Sequence, residues 1–126
     1  MFLIDTNIYI NASIGVEPDA SFLTSAIGKR RANLSVITVA EFLSKASLIE
    51  QESFSKLIRD LPVLEIKLST AELAGELRSR SRKINRNELL DCLLAAQAYE
   101  NNLILVTNNI KDFQFKGIRV IKPEQA

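Results

Sequence analysis

Acidic residues stand beside the ends of several predicted β-strands, where an α/β sheet binds its ligands. Asp5 follows the apolar run of residues 2–4 directly, and Glu41 lies in the first turn of the helix predicted after the second strand. Asp91 opens the predicted helix that leads into the fourth strand, and Asp112 follows that strand. Because the carboxyl ends of parallel strands meet at one edge of a sheet, we expect these carboxylates to converge.

Converging carboxylates repel one another unless a cation neutralises them, so this pattern favours a metal site. Mg²⁺ and Mn²⁺ prefer oxygen ligands, and Mg²⁺ commonly binds through one or two carboxylates, waters and substrate phosphate. The chain contains no His and a single Cys, Cys92. This composition excludes the usual zinc sites, Ser-His-Asp and Cys-His catalysis, and an intramolecular disulfide. Carboxylates therefore remain for metal or acid–base chemistry.

Each acid also has a structural interpretation that the sequence leaves open. Asp5 and Asp112 lie in stretches rich in capping and turn residues. Glu41 follows Thr38 at the spacing of a capping box, which would explain it without any metal. Asp91 interrupts an otherwise apolar helical stretch, where a buried charge is costly unless a helix dipole or an Arg compensates it.

Five short apolar runs, several rich in β-branched residues, predict the strands that position these acids. They cover residues 2–4, 34–38, 63–66, 103–107 and 118–121. Segments with helical spacing separate the runs, and helix starts are predicted at Pro18-Asp19 and at the Thr38-x-x-Glu41 and Ser69-x-x-Glu72 capping boxes. The alternation predicts an α/β fold: one domain over residues 1–126, with a mostly parallel sheet of about five strands and helices on both faces.

Composition and charge limit the class of protein and its location. The 126 residues are 47% hydrophobic and 25% charged, as in ordinary globular domains. No apolar run approaches the ~20 residues of a membrane helix, and no basic segment precedes the first apolar residues, so we expect a cytoplasmic protein without a membrane partner. The formal charge is +1, with basic clusters at residues 29–31 and 78–86 that are either solvated faces or phosphate contacts.

Four motifs, in order along the chain, resemble the PIN-domain family and in particular the small VapC-type toxins of toxin–antitoxin pairs. They are Asp5-Thr6-Asn7, Ile37-Thr38-x-x-Glu41-Phe42, Asp91-x-x-Leu94-Ala95-Ala96-x-Ala98 and Leu105-Val106-Thr107-Asn108-Asn109-x-x-Asp112-Phe113. Each motif is weak alone, but four in register over nearly the whole chain are specific. The resemblance implies a PIN-like fold and a Mg²⁺- or Mn²⁺-dependent endoribonuclease that cleaves RNA phosphodiesters with metal-activated water.

The resemblance also implies roles for individual residues. Asp5 and Asp91 would be the principal metal-site acids, Glu41 would complete the acidic cluster, and Asp112 would be a further catalytic carboxylate. The supporting polar residues would be Thr6, Asn7, Thr38, Thr107 and Asn109. Many family members place an acid or Asn two residues after the Thr that ends the fourth strand. Here that position is Asn109, so whether Asn109 or Asp112 completes the site, and whether it holds one metal ion or two, stays open.

The resemblance further implies an RNA substrate, a cognate antitoxin protein and a homodimer. We expect Arg82 and Arg86, in the second basic cluster, to contact RNA phosphates. A catalytically inactive PIN-fold scaffold or RNA-binding module is the main alternative, because Asn109 stands where an acid is common. An aspartyl-phosphate enzyme of the haloacid-dehalogenase type is disfavoured, since Asn7 replaces its second Asp. A response-regulator receiver domain lacks its acidic pair and its phosphoacceptor Asp here.

Overall fold

The computed structural model describes residues 1–80 and 88–126. Its strands are β1 (Phe2–Ile4), β2 (Ala32–Ser35), β3 (Val63–Leu64), β4 (Ile104–Val106) and β5 (Val120–Ile121). Its α-helices are α1 (Thr6–Ser13), α2 (Asp19–Gly28), α3 (Val36–Lys45), α4 (Leu48–Ile58), α5 (Leu68–Arg80) and α6 (Glu88–Glu100). Two short 3₁₀ helices follow, Ile110–Phe113 and Pro123–Gln125. No helix in these described ranges has the length and apolar character needed to span a membrane.

The strands form one parallel sheet in the order β3-β2-β1-β4-β5. The chain builds the sheet outward from β1, first on one side with β2 and β3 and then on the other with β4 and β5. The crevice where the strand order reverses therefore lies at the carboxyl end of β1, which is where open α/β sheets bind ligands. Ile4 pairs with Val106 there, so the residues that follow β1 and β4 are neighbours.

Both faces of the sheet are covered, and the alternation of side chains along β1 shows how. Phe2 and Ile4 pack on one face in the larger apolar cluster, which includes Ile8 of α1. Leu3 points to the other face and packs against Leu94 of α6. Successive side chains of a strand point to opposite faces, so a fully apolar strand indicates burial on both sides. The predicted α/β fold is confirmed.

The boundary between β2 and α3 differs from the prediction of a strand over residues 34–38. The strand ends at Ser35, whose hydroxyl oxygen accepts a hydrogen bond from the backbone N–H of Ile37 at 3.0 Å and so caps α3. Thr38 is therefore already helical, and the predicted Thr38–Glu41 capping box is wrong. The β-branched residues at 36–38 favour a strand by propensity, but the Ser35 cap and burial of the helix override that preference.

The second predicted capping box, Ser69-x-x-Glu72, is also wrong. Helix α5 begins at Leu68, which places Ser69 inside its first turn. Instead, the hydroxyl oxygen of the buried Thr70 accepts a hydrogen bond from the backbone N–H of Lys67 at 3.2 Å. This bond satisfies a backbone donor at the start of the helix that has no partner within the helix. The predicted start at Pro18-Asp19 is confirmed by α2, which begins at Asp19.

Candidate active site

Asp5 connects the end of β1 to the start of α1. Its backbone N–H donates to the carbonyl of Val106 at 3.0 Å, extending the pairing of β1 with β4 by one residue. Its Oδ1 accepts from the backbone N–H of Thr6 at 2.8 Å and caps α1, a helix that the sequence did not predict. Its Oδ2 accepts from the hydroxyl of Thr107 at 2.7 Å. The capping interpretation of Asp5 is thus correct, while the same carboxylate also lies against the residue that follows β4.

The hydroxyl of Thr6 links α1 to α3. It donates to Oε1 of Glu41 at 2.7 Å, and its oxygen lies 3.3 Å from that of Thr38. Thr38 and Glu41 are three residues apart in α3, so they share one face of the helix. Thr6 and Thr38 are both buried, whereas Glu41 is half-buried. The Glu41 carboxylate is therefore anchored from inside the protein at a partly open surface.

Burial raises the pKa of Asp5 above its ordinary value, because the side chain is only 8% exposed. The hydrogen bonds from Thr107 and Thr6 oppose this shift, while the charges of Glu41 and Asp112 raise the pKa further. The ionised Asp5 is thus both poorly solvated and repelled by its acidic neighbours. A cation at this place would relieve both costs.

Asp112 and Asn109 reach the cluster in different ways. Asp112 is half-buried in the 3₁₀ helix Ile110–Phe113, and its charge acts on Asp5. Asn109 is exposed and contributes its backbone N–H, which donates to the hydroxyl oxygen of Thr107 at 3.0 Å. Because any residue except Pro offers such an N–H, this contact does not require Asn. The geometry therefore favours Asp112 as the additional carboxylate.

Asp91 is half-buried near the start of α6. That helix ends beside the start of β4, where the N–H of Leu103 donates to the carbonyl of Ala98 at 2.8 Å. Its first turns therefore lie toward the other edge of the sheet, where β1 and β4 end. Helix α6 also packs against α3 and the 3₁₀ helix, which carry Glu41 and Asp112. The direction of α6 thus puts Asp91 toward the edge of the sheet that carries Asp5.

The donor atoms at this edge suit a hard divalent cation. They are carboxylate and hydroxyl oxygens, and Cys92 is buried among apolar residues of α5 and α6. Within residues 1–80 and 88–126, no three Asp, Glu or Cys side chains form a complete metal-binding group. Mg²⁺ usually keeps several waters and needs only one or two carboxylates, so a protein cage is not required. The repelling carboxylates around Asp5 therefore fit such a cation.

The remaining predicted site residues are not part of this arrangement. Asn7 is exposed on α1 and contributes no hydrogen bond to the cluster in the part of the chain that the structure describes. Arg82 and Arg86 lie outside the described residues, so their predicted contacts with RNA phosphates stay predictions.

A buried carboxylate beside the site was missed by sequence reasoning. Asp19 was predicted only as a helix start, yet its Oδ2 accepts hydrogen bonds from the side-chain amides of Asn11 and Asn108, each at 2.8 Å. We call these three residues the Asp19 cluster. The only local signal was an acid at a helix start, which usually means a favourable dipole contact and not a tertiary one.

A family model for the PIN domain matches residues 2–117. The chain belongs to the PIN-domain family. This PIN domain is similar to a chain of a toxin–antitoxin complex from Klebsiella pneumoniae, with 27% identity, 98% of each chain covered and a TM-score of 0.78. It is also similar in fold to a chain of a DNA-bound VapBC complex from Salmonella typhimurium, with 23% identity, 97% of each chain covered and a TM-score of 0.77.

A third solved relative of the PIN domain is a chain of FitAcB from Neisseria gonorrhoeae, with 22% identity, 100% of each chain covered and a TM-score of 0.77. A sequence comparison with curated proteins gives no significant match. The family resemblance inferred from the four motifs is confirmed by the family model, and the fold by the solved relatives.

Proposed function

We propose that this PIN domain is a Mg²⁺- or Mn²⁺-dependent endoribonuclease and the toxin of a type II toxin–antitoxin pair. One observation carries the nuclease proposal: the buried carboxylate of Asp5 stands at the switch point of the sheet under the charges of Glu41 and Asp112. Perturbed carboxylates at such a crevice are typical of functional sites. The similarity to a chain of the Klebsiella toxin–antitoxin complex supports the toxin proposal.

The residues present divide the chemistry among them. Asp5 and Asp91, with Glu41, would hold the divalent cation. When bound, the cation would lower the pKa of water and stabilise negative charge on the phosphoryl oxygens. Thr107 fixes the orientation of Asp5, and Thr6 fixes that of Glu41. Glu41, which is half-buried and anchored by the Thr6 hydroxyl, would orient the attacking water and accept its proton.

The proposed substrate is RNA, and the proposed partners are a cognate antitoxin and a second copy of the chain. Phosphates would meet the positive charge predicted at Arg82 and Arg86, which adds affinity that weakens with salt. An antitoxin that covers the acidic edge would keep the nuclease silent. The cytoplasm, where the RNA is, is the proposed location.

The test is cleavage of labelled single-stranded RNA in Mg²⁺, Mn²⁺ or EDTA. The protein is compared with its Asp5→Asn, Glu41→Gln and Asp91→Asn variants and with Glu52→Gln, which changes an exposed acid on α4. We expect metal-dependent cleavage that leaves 5′-phosphate and 3′-hydroxyl ends, is lost in the site variants and is retained in Glu52→Gln.

Two results would contradict the proposal. Cleavage that persists in EDTA or in all three site variants would show a contaminating nuclease. RNA binding without Mn²⁺ binding or cleavage would identify an inactive scaffold, and isothermal titration with Mn²⁺ measures that binding directly.

A further inference from the structure

We infer that Asp19 is a positioning residue for the active site, although it lies on α2 and outside every motif described above. It holds the segment 107–109, which follows β4, through the side chain of Asn108. The inference rests on the proposed function, because Asp19 can affect catalysis only if Asp5, which Thr107 orients, is a residue of the active site.

The Asp19 cluster joins three parts of the chain. Asp19 lies at the start of α2 and is 2% exposed. Asn11 approaches it from α1, and Asn108 approaches it from the segment after β4, 89 residues away in sequence. Both amides donate to the same oxygen, Oδ2, at 2.8 Å. One carboxylate oxygen therefore fixes two separate segments.

Both of these segments also carry groups of the candidate site. Helix α1 begins at Thr6, where Asp5 provides the cap, and Asn11 lies in the same helix. Asn108 stands between Thr107, whose hydroxyl donates to Asp5, and Asn109, whose N–H donates to Thr107. A rotation of the backbone at 108 would move both neighbours. The Asp19 cluster thus sets how α1 and the segment 107–109 face each other.

Stability alone does not require a carboxylate at this place. Burying a charge costs free energy, and the hydrogen bonds that the structure gives to Asp19 come from neutral amides. An apolar side chain would avoid that cost, although it would leave the amides of Asn11 and Asn108 without this acceptor. A carboxylate oxygen, however, accepts two directed hydrogen bonds and fixes the orientation of both donors. The hydrogen bond from Thr107 to Asp5 requires a fixed backbone at residues 107–109, and the directed bond from Asn108 to Asp19 holds that backbone in place.

The test compares variants that remove different parts of the cluster. Asp19→Ala removes the acceptor, Asn108→Ala removes only the link to the segment 107–109, and Asp19→Asn keeps one oxygen that both amides can share. Asn101→Ala is the matched control, because its amide donates to a backbone carbonyl within α6 and its adjoining turn. The readouts are Mn²⁺ affinity by isothermal titration, single-turnover RNA cleavage and hydrogen exchange at the Asn109 amide.

Removing an outer partner of a metal site typically costs about 10- to 100-fold in metal affinity or activity. We expect losses in that range for Asp19→Ala and Asn108→Ala, with faster hydrogen exchange at Asn109. Asp19→Asn should retain most of the wild-type affinity, and Asn101→Ala all of it. A merely structural role would not produce rescue by Asp19→Asn together with loss in Asn108→Ala at unchanged melting temperature.

Several outcomes would overturn the inference. One such outcome is an Asn108→Ala variant that keeps the wild-type Mn²⁺ affinity and the wild-type hydrogen exchange at Asn109. This variant decides the question even if Asp19→Ala fails to fold, because Asn108 is largely exposed and we expect its replacement to leave the fold intact. Equal loss in Asp19→Asn and Asp19→Ala would refute the role of the acceptor. A wild-type protein that neither binds Mn²⁺ nor cleaves RNA would refute the proposed function instead, and hydrogen exchange at Asn109 would still decide the positioning role.

Discussion

Thr6 and Glu41 are joined by a hydrogen bond of 2.7 Å, although 35 residues separate them in sequence. Thr6 begins α1 directly after the carboxylate that caps it, and Glu41 lies in the second turn of α3. Thr6 therefore contacts two acidic side chains that repel each other, Asp5 through its backbone N–H and Glu41 through its hydroxyl. The chemistry proposed for the site depends on this geometry.

Thr6→Val removes the hydroxyl while keeping the shape of the side chain, so we expect RNA cleavage to fall about 10- to 100-fold as Glu41 loses its anchor. Thr6→Ser restores the hydroxyl and should recover most of the rate. Thr24→Val, on the exposed face of α2, is the control for a Thr-to-Val change in a helix. Single-turnover cleavage at saturating Mn²⁺ measures the effect, and equal rates for Thr6→Val and the wild type would refute the anchoring role.

Thr107→Val should destabilise the protein, because Asp5 would lose the hydrogen bond to its Oδ2 while remaining buried. An unsatisfied buried acceptor costs about 1–3 kcal/mol, and more when it is charged. Urea unfolding in EDTA at pH 7 measures the free energy of unfolding. Thr107→Ser, which keeps the hydroxyl, should lie within about 1 kcal/mol of the wild type. Equal stability of the Val variant would show that Asp5 does not depend on this bond.

The contribution of Asp5 to the stability of the metal-free protein should fall as pH rises. Burial raises the pKa of Asp5, so the folded state holds its proton more tightly than the unfolded state. The contribution of Asp5 to the free energy of unfolding therefore declines from the ordinary Asp pKa of about 3.9 through the raised folded value, and then levels off. Asp5→Asn does not titrate, so its stability relative to the wild type should increase with pH over this window in EDTA. A constant difference from pH 4 to pH 8 would contradict the prediction.

Adding Mn²⁺ should offset the loss of stability that the ionised Asp5 causes in the metal-free wild type. A ligand that binds only the folded state stabilises it by about 2.7 kcal/mol at 100 times its dissociation constant. We expect the melting temperature to rise with Mn²⁺ concentration, the rise to be abolished by EDTA, and Asp5→Asn and Asp91→Asn to show little of it. Glu52→Gln should respond like the wild type. The same rise in all four proteins would indicate metal binding elsewhere on the surface.

The sequence predicted the parts of the fold that depend on local pattern. The run of residues 2–4 is apolar because β1 is buried on both faces, and Asp5 follows it at the edge where ligands bind. The end of β2 was misplaced because Ser35 lies inside an apolar run, where a cap resembles an ordinary strand residue. Helix α1 was missed since it starts only one residue after β1, without a turn between them.

Contacts between distant residues could not be predicted in the same way. Convergence of the four acids Asp5, Glu41, Asp91 and Asp112 was predicted from their positions relative to the strands, because parallel strands bring their carboxyl ends together. Nothing in the local pattern pairs Asp19 with Asn108, since that contact depends on how α2 packs beside the segment 107–109. The hydrogen bonds of Thr6 and Thr107 likewise follow from tertiary packing, although both residues belong to the motifs.

The dual use of Asp5 has a practical consequence for capturing RNA from cells. Asparagine caps helices about as well as aspartate, whereas alanine costs about 1 kcal/mol at such a position. Asp5→Asn therefore preserves the start of α1 while removing the charge, whereas Asp5→Ala removes the charge and also the helix cap. A substrate trap made with Asp5→Asn should keep the proposed RNA-binding surface folded, so transcripts that co-purify with it would identify RNAs bound by the natively folded protein.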